Sequence, residues 1–294
     1  MMRECNQTMS AIYARRLLDR YDVQVPQDID LQRIAEDLEI TIDEDELEGC
    51  DGMLQMISEP KCGIITVKSS IREPGQKRFI IGHEIGHFEA PAAPGLGYHC
   101  ASADLSLSNQ RIKPEERAAN EFAAELLMPA RLFAPRLARQ SPSMDLIKDL
   151  AADFSTTLTA TLRRFIEFTD NRCALVCSEN SKVKYCVPSK EFGFHIAHGR
   201  PLDKNSLAID YFEQGNIDER MQSVLASAWV KNSRIQQGAC IKEHSIAQPN
   251  YNCVLTLLWI DEDIDRRYSV EEDDEEEQEL DLDHFTPDGK RWRW

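Results

Sequence analysis

Along residues 10–21 the apolar side chains Ala11, Ala14, Leu17, Leu18 and Tyr21 recur three and four positions apart, the spacing of one helix face. A shorter helix is expected over about 30–38, on Leu31, Ile34, Ala35 and Leu38. After a mostly acidic stretch at 43–48, residues 52–57 and 62–67 read as strands joined by a Ser58-Glu59-Pro60-Lys61 turn. Residues 69–76, with Pro74-Gly75, read as a loop, and a helix is expected over 78–90 that cannot pass Pro91. The Pro-, Gly- and Ser-rich stretch 91–111 reads as a long loop. Pro114 then opens a strong helix: Glu115 and Glu116 stand in its first turn, Ala118, Ala119, Phe122, Ala123, Leu126 and Leu127 follow at helical spacing, and Pro129 ends it.

Residues 142–168 carry two further helical patterns around Phe154-Ser155-Thr156-Thr157, a helix-turn-helix arrangement. From Arg172 the period becomes two. Residues 173–177 and 183–187 predict a hairpin turning at Glu179-Asn180-Ser181, and strands are expected at 226–231, 239–246 and 253–260. The chain therefore divides into an α+β unit at 1–140, a helical segment at 141–170, a small α/β domain with a mostly antiparallel sheet at 171–262, and a tail at 263–294.

Charge sharpens that last boundary. The net charge is −17, yet residues 261–283 alone carry −12, and residues 1–260 only −7. The tail is expected to be solvated and disordered, serving mainly solubility, while the body lacks the basic surface that general nucleic-acid binding requires. No apolar run is long enough to cross a bilayer, and Met1–Arg16 has no signal-peptide pattern, so a cytoplasmic location is expected. The cysteines are odd in number, nine, without framework spacing; Cys173, Cys177 and Cys186 are expected to be free thiols rather than a zinc site.

The chemistry concentrates at His83-Glu84-Ile85-Gly86-His87. Four residues apart on a helix, His83 and His87 project from one face, and Glu84 lies about 100° around the axis, where it can reach a metal-activated water without being a ligand. Accident supplies such a pattern in a chain of this length about one time in a hundred. Ile81, Ile85 and Phe88 form a separate apolar face, and Gly82 and Gly86, each unfavourable in a helix, suggest that another element approaches closely.

A catalytic zinc needs a third protein ligand. The loop offers His99, Cys100 and Asp104, and the next helix offers Glu116, Glu121 and Glu125. Glu116 shares a face with Asn120, which can accept the free ring N–H of a ligating histidine; Glu121 pairs likewise with Glu125, beside Phe122 and Leu126, in a position that solvent alone would also explain. Both carboxylates stay open on spacing.

His83-Glu-Ile-Gly-His87-Phe88, followed by Glu116-Arg-Ala-Ala-Asn120-Glu-Phe-Ala-Ala-Glu-Leu-Leu-Met-Pro129, resembles the ImmA/IrrE-type metallopeptidases over roughly residues 10–140. Gly63-Ile-Ile-Thr-Val-Lys-Ser-Ser and Arg78-Phe-Ile-Ile-Gly fit the same pattern. The resemblance implies a zincin-like (thermolysin-like, gluzincin) core with His83, His87 and Glu116 on Zn2+, or on Mn2+ or another divalent cation. It implies Glu84 as the base and Asn120 as the support of a ligand. It further implies a metal-dependent endopeptidase that cleaves a helix-turn-helix transcriptional repressor under stress. Similar proteins carry a helix-turn-helix-like middle and a GAF-like last domain, to which 142–168 and 172–260 would correspond. No repressor-type DNA-binding domain precedes the motif here, so the expected substrate is a separate chain.

Tyr98 and His99 are the candidates for stabilising the oxyanion, and strand 64–67 is a candidate edge for an extended substrate, with a covered core strand as the alternative. The rival reading is a non-catalytic regulator that binds DNA or a repressor through 141–170. Its basic residues are Arg163 and Arg164 amid Asp145, Asp149 and Asp153, thin for phosphate attraction, so direct DNA binding is not expected. A sensory role for the last domain lacks a cofactor motif: Phe192, Phe194, Trp229 and Trp259 read as core, and a metal site at His195 and His198 is not expected.

Overall fold

The computed structural model describes residues 8–89, the backbone of 98–100, and residues 113–231, 235 and 237–261. Asp104 and the acidic tail lie outside these. Mixed α+β architecture is observed, with helices and two sheets. No helix among the described residues is long and apolar enough to cross a membrane.

Helix α1 (Met9–Arg20) begins where the Thr8 hydroxyl accepts from the Ala11 amide, and α2 (Leu31–Asp37) where the Asp30 carboxylate accepts from Gln32 and Arg33. The first sheet has the order β1-β3-β2-β4, from β1 (Ile40–Asp45), β2 (Gly52–Ser58), β3 (Lys61–Lys68) and the short β4 (Tyr98–Cys100). β1 runs parallel to β3, and the other pairings are antiparallel. β1 was hidden in the sequence: Ile40 is its one buried residue, and Asp43, Glu44 and Asp45 are exposed, as suits a charged sheet edge. β3 is paired on both sides, so 64–67 is a covered interior strand and offers no edge to a peptide.

Helix α3 (Pro74–Glu89) starts earlier than expected; Pro74 belongs to the helix, where its missing N–H costs nothing, rather than to the preceding loop. It packs on β2 and β3 and lies along α4 (Pro114–Leu127), burying Ile80, Ile85 and Phe88 with Leu54, Ile65, Phe122 and Leu126. A further helix, α5 (Ala130–Leu137), follows; with Pro135 inside it, it shows no clean period. α6 (Met144–Phe154) and α7 (Leu158–Phe168) form the expected pair, opened by caps from Ser143 and Thr157 and separated by Ser155 in the left-handed conformation.

The second sheet is antiparallel in the order β6-β5-β9-β8-β7, from β5 (Arg172–Glu179), β6 (Lys182–Pro188), β7 (Gln222–Leu225), β8 (Cys240–Gln248) and β9 (Cys253–Ile260). Its central strands are buried on both faces. Cys173, Leu175, Leu255 and Leu257 pack with α5, α6 and α7, whereas Ala174, Val176, Val254 and Leu258 pack on the side of α8 (Ala208–Gln214) and α9 (Ala226–Trp229). The strand expected at 226–231 is not there: the chain pairs at 222–225 and then coils into α9, where Trp229 Nε1 donates to Glu243 at 2.6 Å. Phe192 and Trp229 are fully buried core, with Phe194 and Trp259 packed partly against it. Seven free thiols, Cys173, Cys177 and Cys186 among them, occur in the described part, none in a potential metal cluster.

Candidate metal centre

Two adjacent helices assemble the centre. α3 supplies His83 and His87 from successive turns, and α4 brings Glu116 against them from its first turn. His83 Nε2 lies 3.0 Å from His87 Nε2 and 3.2 Å from Glu116 Oε2, while His87 Nε2 lies 3.4 Å from the same carboxylate. All three residues are buried, and they are the one group of His, Cys, Asp or Glu among the described residues able to hold a metal ion.

The donor set fits a divalent cation. Oδ1 of Asn120 lies 2.9 Å from His83 Nδ1 and can only accept, so His83 carries its proton on Nδ1 and presents a bare lone pair at Nε2. That lone pair faces the other two donor atoms. Zinc–nitrogen and zinc–oxygen bonds of about 2.0–2.1 Å in a tetrahedron place neighbouring donors roughly 3.3–3.4 Å apart, close to the separations found here. Burial pushes the Glu116 carboxyl up, but His83 and His87, in the protonated form that donates to it, outweigh burial and hold the group well below the ordinary carboxylate range. The third donor is therefore anionic near neutrality.

Glu84 is fully buried on the same helix, against the first residue of β2. A Cβ at Gly52 would stand 2.4 Å from Ile80 Cγ2 and 2.9 Å from Glu84 Oε1, so only glycine lets β2 pass this closely. Nothing in the local sequence marked Gly52 as part of the centre. The two helix glycines differ. A Cβ at Gly86 would meet Phe122 at 3.1 Å and the Ala119 backbone at 3.2 Å, whereas at Gly82 it would make ordinary contacts of 3.6 Å or more with Ala123. The close approach expected of both holds at Gly86 alone.

The remaining candidates are dispersed. Glu121 is half-buried and outside the metal-capable group. Glu125 is not solvated: it is buried, accepts from Arg15 Nε at 2.8 Å and pairs with Arg164. Tyr98, His99 and Cys100 belong not to a loop but to β4, where His99 stands opposite Met53 and Tyr98 opposite Leu54. His198 Nδ1 lies 2.6 Å from the Lys184 carbonyl, away from any metal-capable group. Arg164, offered above as a phosphate contact, is buried against Glu125 and the Met128 carbonyl.

A Mycobacterium tuberculosis transcriptional regulator has a similar solved structure, with a TM-score of 0.52 and 15% identity over 85% of this chain and 87% of that one. This likeness is one of fold. No curated protein matches the chain. Residues 35–165 match the family described as IrrE N-terminal-like domain, Peptidase_M78, a match that starts in α2 and runs past α4 into α7. Residues 35–165 thus match the model of the Peptidase_M78, IrrE N-terminal-like family, the family that the two spaced motifs resemble.

Proposed function

We propose that this protein is a zinc-dependent endopeptidase of gluzincin type that cleaves a helix-turn-helix transcriptional repressor carried on a separate chain, relieving repression under stress. The observation that carries the reading is the convergence of His83, His87 and Glu116 donors within 3.4 Å, with Glu84 buried on the same helix. A divalent cation held there, zinc or manganese, would supply Lewis acidity to a scissile carbonyl. His83, His87 and Glu116 hold it, and Asn120 fixes the His83 ring. The Glu84 carboxylate takes a proton from the attacking water and returns it to the leaving amine. Gly52 keeps β2 close to that carboxylate and so limits its freedom. Tyr98 or His99, on the adjoining β4, completes the site as the donor to the oxyanion.

The zincin-like reading of the core is supported by the sheet β1–β4 lying behind α3 and by the helix α4 that brings in the third donor. A GAF-like, sensory reading of the last part is supported by its five-stranded antiparallel sheet with helices against both faces. A cytoplasmic location accords with the proposed repressor substrate. The test is incubation of the full chain with helix-turn-helix repressors encoded beside it, in zinc or manganese. Discrete fragments that disappear with chelator and with Glu84→Gln support the proposal; fragments that persist with Glu84→Gln contradict it.

A second reading, a non-catalytic regulator that binds DNA or a repressor through α6 and α7, is favoured by one observation, the helix pair itself. Against its DNA form, Arg164 is buried and Arg163 lies over the Tyr185 ring. A mobility-shift titration at several salt concentrations separates the two, since tight salt-sensitive binding by the isolated protein would favour the regulator.

A further inference from the structure

A cavity of about 600 Å³ opens where the peptidase-family helices, the start of α7 and the second sheet meet. It is separate from the metal centre: none of His83, Glu84, His87 and Glu116 lines it. Gln76, which does, precedes His83 by seven residues, about 10 Å along α3. Its volume suits a small organic molecule. Phe79, Leu158, Tyr185 and Tyr251 give it apolar and aromatic walls.

The cations at its rim are not equivalent. Arg164 is held by Glu125 and Glu167, and Lys184 by Glu179 at 3.0 Å. Half-buried Arg163 has its guanidinium 4.6 Å from the centre of the Tyr185 ring, and among the described residues no carboxylate pairs with it. A planar guanidinium in that setting recognises an acid group by charge-assisted hydrogen bonds.

We propose that this junction cavity binds a small amphipathic organic anion, its acid group on Arg163 and its apolar body between Phe79, Leu158, Tyr185 and Tyr251. Occupancy is linked to the metal centre through α7. Arg164, the next residue, bonds Glu125 and the Met128 carbonyl, and so ties α7 to the helix that carries Glu116 and Asn120. At the other end of α3 the chain is equally tight: a Cβ on Gly75 would stand 2.7 Å from backbone atoms of Thr156 and Thr157. A ligand that shifts α7 therefore shifts both metal-bearing helices, and the linkage is reciprocal. The proposal stands whether or not the centre cleaves peptides.

The probes are 1-anilinonaphthalene-8-sulfonate, an aromatic anion, and N-phenyl-1-naphthylamine, its uncharged counterpart, titrated by fluorescence into the full chain. The sulfonate is expected to bind one per chain and more tightly than the amine. Arg163→Gln should weaken the sulfonate about tenfold or more without affecting the amine, and Ala160→Trp, which fills the cavity, should exclude both. Saturating sulfonate should change zinc affinity about fivefold or more. Absence of sulfonate binding, equal affinity of the wild-type chain for the two probes, or an undiminished sulfonate affinity in folded Arg163→Gln or Ala160→Trp overturns the binding site. Unchanged zinc affinity in saturating sulfonate overturns the linkage.

Discussion

Nδ1 of His83 donates to Oδ1 of Asn120 at 2.9 Å, and this one contact between α3 and α4 leaves Nε2 of His83 bare toward His87 and Glu116. The His83 ring is thereby oriented for the cation that the three donors would hold. Asn120→Ala removes the acceptor and frees the ring to turn; zinc affinity, read by competition with a chelating dye, should fall about 10–100-fold. Asn120→Asp keeps the acceptor and should retain most of it. Equal affinity of Asn120→Ala and wild type would show that the ring is held by other means.

The two helix glycines give a paired stability test. Gly82→Ala adds a methyl with room around it and should stabilise by up to about 1 kcal/mol. Gly86→Ala pushes a methyl against Phe122 and the Ala119 backbone and should destabilise by roughly 1–3 kcal/mol. Urea unfolding measures both; the reverse order would mean that α3 and α4 pack differently.

Glu125 joins three helices: it accepts from Arg15 on α1, pairs with Arg164 on α7, and sits on α4 itself. Truncating one partner of a buried pair leaves the other charge with less compensation. Arg164→Met should cost roughly 3 kcal/mol or more, well above the cost of Arg163→Gln beside it. Comparable losses in urea unfolding would contradict this division of labour.

Glu243 gives a pH signature. It is fully buried on β8, and desolvation raises its carboxyl above the ordinary range despite donors from Trp229, Ala208 and Ser245. With the folded pKa raised, its contribution to stability is fully present below the unfolded value near 4.5 and is lost as pH rises through the folded one. Glu243→Gln lacks that titration. The stability advantage of wild type over the variant should therefore shrink as pH rises from the unfolded value; a constant difference in unfolding free energy would refute it.

Where a side chain's partners lie one helical turn away, or where apolar residues keep a single period, the sequence was legible. That covers α1, α4, the α6–α7 pair, the β5–β6 hairpin, β9 and the His83–Glu84–His87 helix, and spacing also paired Glu116 with Asn120. Composition hid what depends on distant neighbours. β1 has too few apolar residues to alternate, and α5 carries a proline. Residues 226–229, Ala-Ser-Ala-Trp, alternate in polarity like a short strand but form a helical turn, and Trp229 reaches Glu243 on β8. Gly52 matters because β2 crosses Glu84, and Glu125 is buried because Arg164 comes from α7. Neither contact is written locally. The difference between Gly82 and Gly86 likewise belongs to Phe122 and Ala123 on the facing helix.

The central claim is that His83, His87 and Glu116, rather than another carboxylate of α4, hold the cation. The most direct measurement is a zinc titration by calorimetry on the wild-type chain, Glu116→Ala and Glu121→Ala. Wild type and Glu121→Ala should each bind a single tight equivalent, and Glu116→Ala should lose it. Tight binding kept by Glu116→Ala and lost by Glu121→Ala would contradict the assignment.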